Sequence, residues 1–319
     1  RSNKKSEKKG RLIISEEIIT VNGPIKTEEM GLTLPHEHIM VDFIGADKAG
    51  KHRYRREEVV EVMLPYLEEI KEKGVKTFVD CTPMYLARDV KVLKELADKT
   101  GLNIITNTGQ YKEPYLPRDT FEISAEELAA QWIEEFEKGI EETDIRPGFI
   151  KTAVDPEGLN KIQQKVIKAA AITSKNTGLT IATHTGCGQS AGEIIDILIN
   201  IGIKLNKWIF VHAQNEKDYN ILRELAEKGV WIELDGIGPD TIQEHIDPLV
   251  YLIDKGLEDR ILLSQDAGWY EVGNEPGKEK QPYSFIFDNF LPETEKMGIT
   301  PEVIDRIMID NPASVFAID

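Results

Sequence analysis

The sequence predicts an α/β protein folded as a single (β/α)8 TIM barrel with a short N-terminal β-hairpin. Three observations predict it. Short apolar, β-rich runs recur along the 319 residues, and there are eight of them. Segments with apolar residues at three- and four-residue spacing lie between the runs. Eight strand–helix units in a chain of this length are what such a barrel requires. An open doubly wound sheet is the rival architecture, but it would leave two units over.

The strand candidates are 32–43, 77–82, 103–108, 148–154, 180–185, 208–213, 230–234 and 260–265. Helical patterning covers 57–73, 124–142, 160–175, 192–201 and 216–228 among others. Ser124 with Glu127 forms a capping box that starts the helix there. Gly74, Gly101, Gly178 and Gly229 fall where a helix must stop and turn into the next strand. Residues 12–30 read as the hairpin, closed by Asn22-Gly23 and capping the bottom of the barrel. Residues 1–11 are basic and polar, with neither an initiator Met nor the apolar core of a signal peptide. They read as disordered or as an added or processing remnant, which leaves 12–319 as one barrel domain. Both a cytoplasmic protein and a periplasmic or exported one with its signal removed are compatible with that start.

Composition narrows the partners. Hydrophobic residues at 40% and charged residues at 30% are ordinary for a soluble protein. A net charge of −17 opposes binding to nucleic acid, because a polyanion needs a basic, counterion-releasing surface. No apolar run reaches roughly 18 residues, so no transmembrane helix is predicted. Cys81 and Cys187 are far apart and indicate no disulfide framework.

Four of the six histidines fall at the C-terminal ends of predicted strands: His36 and His38, His184, and His212. In a strand, side chains alternate faces, so His36 and His38 should point into the barrel together while Glu37 points away. Imidazoles converging there suit zinc, manganese, iron or cobalt. Asp266, in Leu-Ser-Gln-Asp-Ala, ends the last strand in the equivalent place, where TIM-barrel enzymes keep their active sites. His52 and His245 read as surface residues of a loop or helix. Lys151 ends the run Gly-Phe-Ile-Lys and should face the same mouth. Alone it would be read as a charged lysine turned to solvent. Beside two cations a bare ammonium is repelled, whereas its carbamate (N6-carboxylysine) is an anion able to bridge them. Among four histidines and an aspartate, the carbamate is the expectation.

These residues resemble the phosphotriesterase-like lactonases of the amidohydrolase superfamily, from Gly31-Leu-Thr-Leu-Pro-His-Glu-His38 to Asp310-Asn-Pro-Ala313. The resemblance implies two divalent metal ions per subunit, zinc first, with manganese, cobalt or iron as alternatives. One would be held by His36, His38 and Asp266, the other by His184 and His212, with carboxylated Lys151 and a hydroxide bridging both. That hydroxide would be the nucleophile, and Asp266 would take its proton and deliver it to the leaving oxygen. Tyr111 resembles the family tyrosine that orients an ester oxygen above the metals. Trp269 and Tyr270 open the long segment 267–283, which reads as a pocket lid and a source of substrate contacts. A homodimer is implied by the resemblance alone.

Two departures bear on the substrate. Phosphotriesterases proper carry an acid three residues after the fourth metal histidine, where this chain has Asn215. They also carry a histidine after the strand-7 aspartate, where Asp235 is followed by Gly236. The expected activity is therefore lactone or carboxylic-ester hydrolysis with phosphotriester hydrolysis as a side activity. The alternatives are a dedicated phosphotriesterase (aryldialkylphosphatase), a mononuclear deaminase, and a non-catalytic ligand-binding barrel.

Overall fold

The structure, a computed structural model, describes residues 16–268, 270–275 and 281–318. Trp269, the remnant at 1–11 and the middle of the expected lid lie outside the described residues. The strands are β1 (Glu17–Thr20), β2 (Gly23–Lys26), β3 (Thr33–Glu37), β4 (Met40–Val41), β5 (Thr77–Asp80), β6 (Asn103–Ile105), β7 (Asn107–Thr108), β8 (Phe149–Ala153), β9 (Ile181–His184), β10 (Trp208–Val211), β11 (Trp231–Leu234), β12 (Ile261–Leu263) and β13 (Tyr270–Glu271). The main helices are α1 (Arg56–Glu72), α2 (Val90–Thr100), α3 (Arg118–Glu122), α4 (Ala125–Lys138), α5 (Lys161–Thr177), α6 (Gly188–Ile201), α7 (Tyr219–Glu227) and α8 (Ile242–Asp254).

All the central pairings are parallel. Six strands run β12-β11-β10-β9-β8-β7, and three run β3-β5-β6. On one side the two sheets are continuous through Thr106. On the other, the backbone N–H of His36 donates to Ser264 Oγ at 3.0 Å, and that of Asp266 donates to His36 O at 3.1 Å. Each predicted run contains a strand, trimmed at its ends; 32–43 and 103–108 are each broken in two. The capping box of Ser124 and Glu127 is present, and Gly101 and Gly178 end their helices in the left-handed conformation that glycine tolerates best. Among the described residues no helix is long and apolar enough to cross a membrane.

Burial follows the alternation of the strands. Val79, Cys81, Ile105, Phe149, Ala182, Val211, Trp231 and Leu262, drawn from both sheets, pack into one interior cluster with Ile18 and Phe316. Their neighbours Phe78, Ile104, Ile150, Ile181, Phe210, Ile232 and Leu263 pack outward against the helices. The β1–β2 hairpin lies at the N-terminal end of the strands, where the N–H of Val21 donates to Ile104 O at 2.8 Å. Its turn is one residue earlier than the sequence suggested. Thr20 pairs with Gly23, so Val21-Asn22 is the loop and Gly23 starts β2.

Candidate metal centre

The C-terminal ends of the strands bring the predicted ligands together, by three different local devices. Lys151 and His184 simply continue the interior register of Phe149 and Ala182. His36 needs a bulge. Leu34 faces the helices, so plain alternation would send His36 outward as well. Instead the β3–β5 register slips by one residue between Leu34 and Glu37, which turns His36 inward and leaves Glu37 on the opposite side. His212 follows the inward Val211, and only its left-handed backbone (φ +60°) swings the ring back to the site. Asp266 is left-handed too, at φ +52°. Positive φ on a non-glycine residue is strained, and such strain clusters at functional sites.

His36, His38 and His212 are anchored through Nδ1, and His36 and His38 turn Nε2 toward Lys151 and Asp266. His36 Nδ1 lies 2.9 Å from Glu233 Oε2 and 3.2 Å from Asp235 Oδ2. His38 Nδ1 lies 2.8 Å from Thr82 Oγ1, His184 Nδ1 lies 2.9 Å from Tyr111 Oη, and His212 Nδ1 meets Asp235 Oδ1. On the other side, His36 Nε2 is 3.2 Å from Lys151 Nζ and 3.6 Å from Asp266 Oδ1, while His38 Nε2 is 2.9 Å from the same carboxylate oxygen. The rings of His184 and His212 have centroids 4.4 Å apart. Asp266 Oδ1 is buried and faces the Nε2 atoms of His36 and His38, as a ligand atom sharing a cation with them would. Carboxylates that accept the Nδ1 proton of an imidazole, as Glu233 and Asp235 are placed to do here, are the usual support of metal-binding histidines. The donor set therefore fits metal. His36, His38 and Asp266 form one compact group, and Lys151, His184 and His212 line the same cavity.

Burial opposes the charge of His36, but Cys81 and the carboxylates Glu233 and Asp235 outweigh it and hold the ring above its usual range. Burial, helped by His212 and Lys151, pushes His184 down to about 2, which makes it a neutral ligand at neutral pH, and burial likewise lowers His38. Burial opposes the charge of Asp266, but His36 and His38 outweigh it and hold the carboxyl well below its usual range. Asp235 is held low in the same way by His212 and His36. Burial raises Glu233, its charge partly sustained by His36.

Other residues hold the ligands in place. Glu37 Oε1 accepts from Ser264 Oγ (2.9 Å) and the N–H of Gln265 (3.0 Å), and Oε2 accepts from the N–H of Ala267 (2.8 Å). It thus clamps the backbone on both sides of Asp266. Gly109, at φ +101°, lies where a Cβ would sit 2.3 Å from Lys151 O; its lack of a side chain lets the 107–111 segment close over β8 and deliver Tyr111. Sequence reasoning missed Glu233, Asp235 and Thr82. The available signal was two acids at i and i+2 in the apolar run Trp-Ile-Glu-Leu-Asp, which puts both on the face of Trp231. His245 is corrected: it is 1% exposed, on the inner side of α8, and its Nε2 and Nδ1 lie 2.5 Å from Asp235 O and 2.8 Å from Thr241 O. His52 is exposed as expected.

The cavity at this site is about 150 Å³. Val41, Phe43, Pro83 and Leu86 make an apolar wall, with Tyr111 beside the metal ligands. Tyr115 stacks edge-on to both Phe43 and Tyr111, at 6.2 and 5.9 Å. Tyr270 is not part of the lining. It is 5% exposed, in β13 beside β4, and its hydroxyl donates to Glu58 of α1 at 2.8 Å. The start of the expected lid is therefore tied down as a short strand, because its backbone pairs with Met40–Val41.

Behind His38 lies a titrating group. Asp80 Oδ1 accepts from the N–H of Ile39 at 2.9 Å and from Thr82 Oγ1 at 3.3 Å; Oδ2 is buried without a partner. Burial pushes its pKa up to about 7. The folded chain keeps a proton that the unfolded chain releases near 4, so this contribution to stability is full below that pH and is lost as pH rises through about 7. Asp80→Asn cannot titrate. Its stability should gain on the wild type's between about pH 4 and pH 7, by up to roughly 1.4 kcal/mol per pH unit, read as a relative rise in melting temperature. A constant difference between the two melting curves over that range would remove Asp80 as the titrating group.

The site and fold belong to a known class of hydrolase. Residues 16–316 match the model of the phosphotriesterase family, and the chain belongs to that family. It is 30% identical to an aryldialkylphosphatase of Saccharolobus solfataricus, covering 92% of this chain and 97% of that protein. It is 29% identical to a phospho-furanose lactonase of Mycoplasmopsis synoviae (94% and 91% covered) and 28% identical to an N-acetyltaurine hydrolase of Rattus norvegicus (94% and 97% covered).

Proposed function

We propose that the chain is a binuclear metal-dependent hydrolase of carboxylic esters, lactones foremost, with phosphotriester hydrolysis as a weaker activity. The observation that carries this reading is the convergence of four imidazoles, Lys151 and Asp266 on one cavity of about 150 Å³. The reading takes the two sheets as one closed barrel, supported by their shared interior cluster and by the hydrogen bonds from His36 to Ser264 and Asp266.

His36, His38 and Asp266 would hold one ion, His184 and His212 the other, and Lys151, carboxylated, would lie between them. When bound, two divalent cations, zinc foremost, would lower the pKa of water into the neutral range and polarise the scissile carbonyl. The chain does the rest. Asp266 is a carboxylate at working pH, placed to take the proton of the attacking water and return it to the leaving oxygen. Tyr111 lines the same cavity with its hydroxyl 2.9 Å from His184 Nδ1, placed to reach the substrate's ester oxygen as well. The apolar wall excludes water from one side of the substrate.

The ranking of lactones over phosphotriesters rests on Asn215 and Gly236, which stand where a dedicated phosphotriesterase has an acid and a histidine, and on the small cavity. A planar ring carbonyl makes lower demands on such a space than a phosphorus centre with three ester arms. The likeness to an aryldialkylphosphatase keeps phosphotriesters in the test, and the likeness to an N-acetyltaurine hydrolase adds amides. A panel of γ- and δ-lactones, paraoxon and N-acetyl amides, assayed on enzyme of known metal content, decides among them. The highest kcat/KM is expected for a lactone. Paraoxon turnover above that of every lactone would overturn the ranking in favour of a dedicated phosphotriesterase.

A further inference from the structure

The Nδ1 atoms of the four candidate histidines meet different chemistry: a glutamate, a threonine hydroxyl, a phenol and an aspartate. Asp235 is shared. It accepts from the ring and the backbone N–H of His212 and from Gln214 Nε2, and it reaches His36 only at 3.2 Å. Glu233 is not shared. Among the described residues its hydrogen bond is to His36 Nδ1, at 2.9 Å. It is 1% exposed and stands two residues after Trp231, on the interior face of an otherwise apolar strand, where burying a carboxylate is costly unless a partner offsets the loss of water.

We propose that Glu233 is a positioning residue that fixes the Nδ1–H tautomer and the ring orientation of His36, and so sets the affinity for one of the two metal ions without touching the other. The inference rests on the binuclear reading above. His36 is the ligand nearest Lys151, and it donates its Nδ1 proton away from the site, so that its Nε2 lone pair faces the centre. Without Glu233, Asp235 alone would have to anchor both His36 and His212. The ion held by His36, His38 and Asp266 should then weaken, while the ion held by His184 and His212, neither of which touches Glu233, is retained.

The test is cobalt(II) binding, read by chelator competition and by the visible absorption of the bound ions, on the wild type, Glu233→Leu and Glu233→Gln. The wild type is expected to hold two ions per chain. In Glu233→Leu one dissociation constant should rise about ten- to hundredfold, with the other unchanged and one component of the absorption spectrum lost. Glu233→Gln keeps an oxygen to accept the Nδ1 proton but lacks the charge, and should fall between. Two unchanged constants in Glu233→Leu, or an equal weakening of both, would overturn the inference. Should Glu233→Leu fail to fold, a selective loss of one ion in Glu233→Gln supports it and unaltered binding overturns it. A wild type that holds fewer than two ions would instead overturn the binuclear reading, and this inference with it.

Discussion

Lys151→Ala is expected to lose at least roughly 10³-fold in turnover, about 4 kcal/mol of transition-state stabilisation, and to regain part of it when a short carboxylate is added. The argument begins with charge. Lys151 is 2% exposed and its Nζ is 3.2 Å from His36 Nε2, in the middle of the four imidazoles. Two dications there would repel an ammonium by several kcal/mol each, even with strong screening. Carbon dioxide removes the conflict. The neutral amine adds to its carbon, a C–N bond forms, and the displaced proton leaves to water. The product is an anion with two oxygens, the right number to reach both ions. Alanine at 151 leaves space that acetate or propionate can enter to supply the same two oxygens, whereas Lys151→Met fills the space and should not be rescued. Labelled bicarbonate followed by carbon NMR should show a carbamate signal in the metal-loaded wild type and in neither variant. Full turnover in Lys151→Ala would exclude the bridging role.

How much of this was legible follows from where periodicity holds. Lys151 and His184 were readable because β8 and β9 alternate without interruption, so counting by two from Phe149 and Ala182 reaches them. His36 was read correctly by a rule that its strand breaks. The bulge before Glu37 reverses the face that Leu34 predicts, and a one-residue slip leaves no mark in composition. The left-handed turns at His212 and Asp266 are equally silent, since neither residue is a glycine. Function could be guessed there from residue type alone. Glu233 and Asp235 carried a signal that was overlooked, two acids on one face of an apolar strand. His245 illustrates the opposite error: a polar residue on a helix was taken for a surface group, but carbonyl oxygens at Thr241 and Asp235 make a buried place for it. Tyr270 adjoins Asp266 in sequence, yet the pairing of β13 with β4 turns it toward α1. Chain neighbourhood is weak evidence of spatial neighbourhood once a strand intervenes.

Asp266→Asn is the sharpest probe of the proton route, because the backbone tolerates it. Asp266 adopts φ +52°, and asparagine shares with aspartate an unusual tolerance of that region. The Glu37 clamp holds main-chain N–H groups and Ser264, so it does not depend on the side chain at 266. The carboxamide oxygen can still face His38 and a cation, and metal content should stay close to wild type by elemental analysis. What is lost is the base. Turnover should fall by about 10²- to 10⁴-fold, the usual contribution of a positioned general base. The pH dependence adds a second check. His36 and His38 hold the Asp266 carboxyl well below its usual range despite burial, so it is ionised throughout the assay range and its removal should cost the same factor at about pH 6 and at about pH 9. A deficit confined to one end of the range would assign the proton to another group. Undiminished turnover with both ions in place would show that water loses its proton to solvent or to the carbamate, and the route through Asp266 would fall.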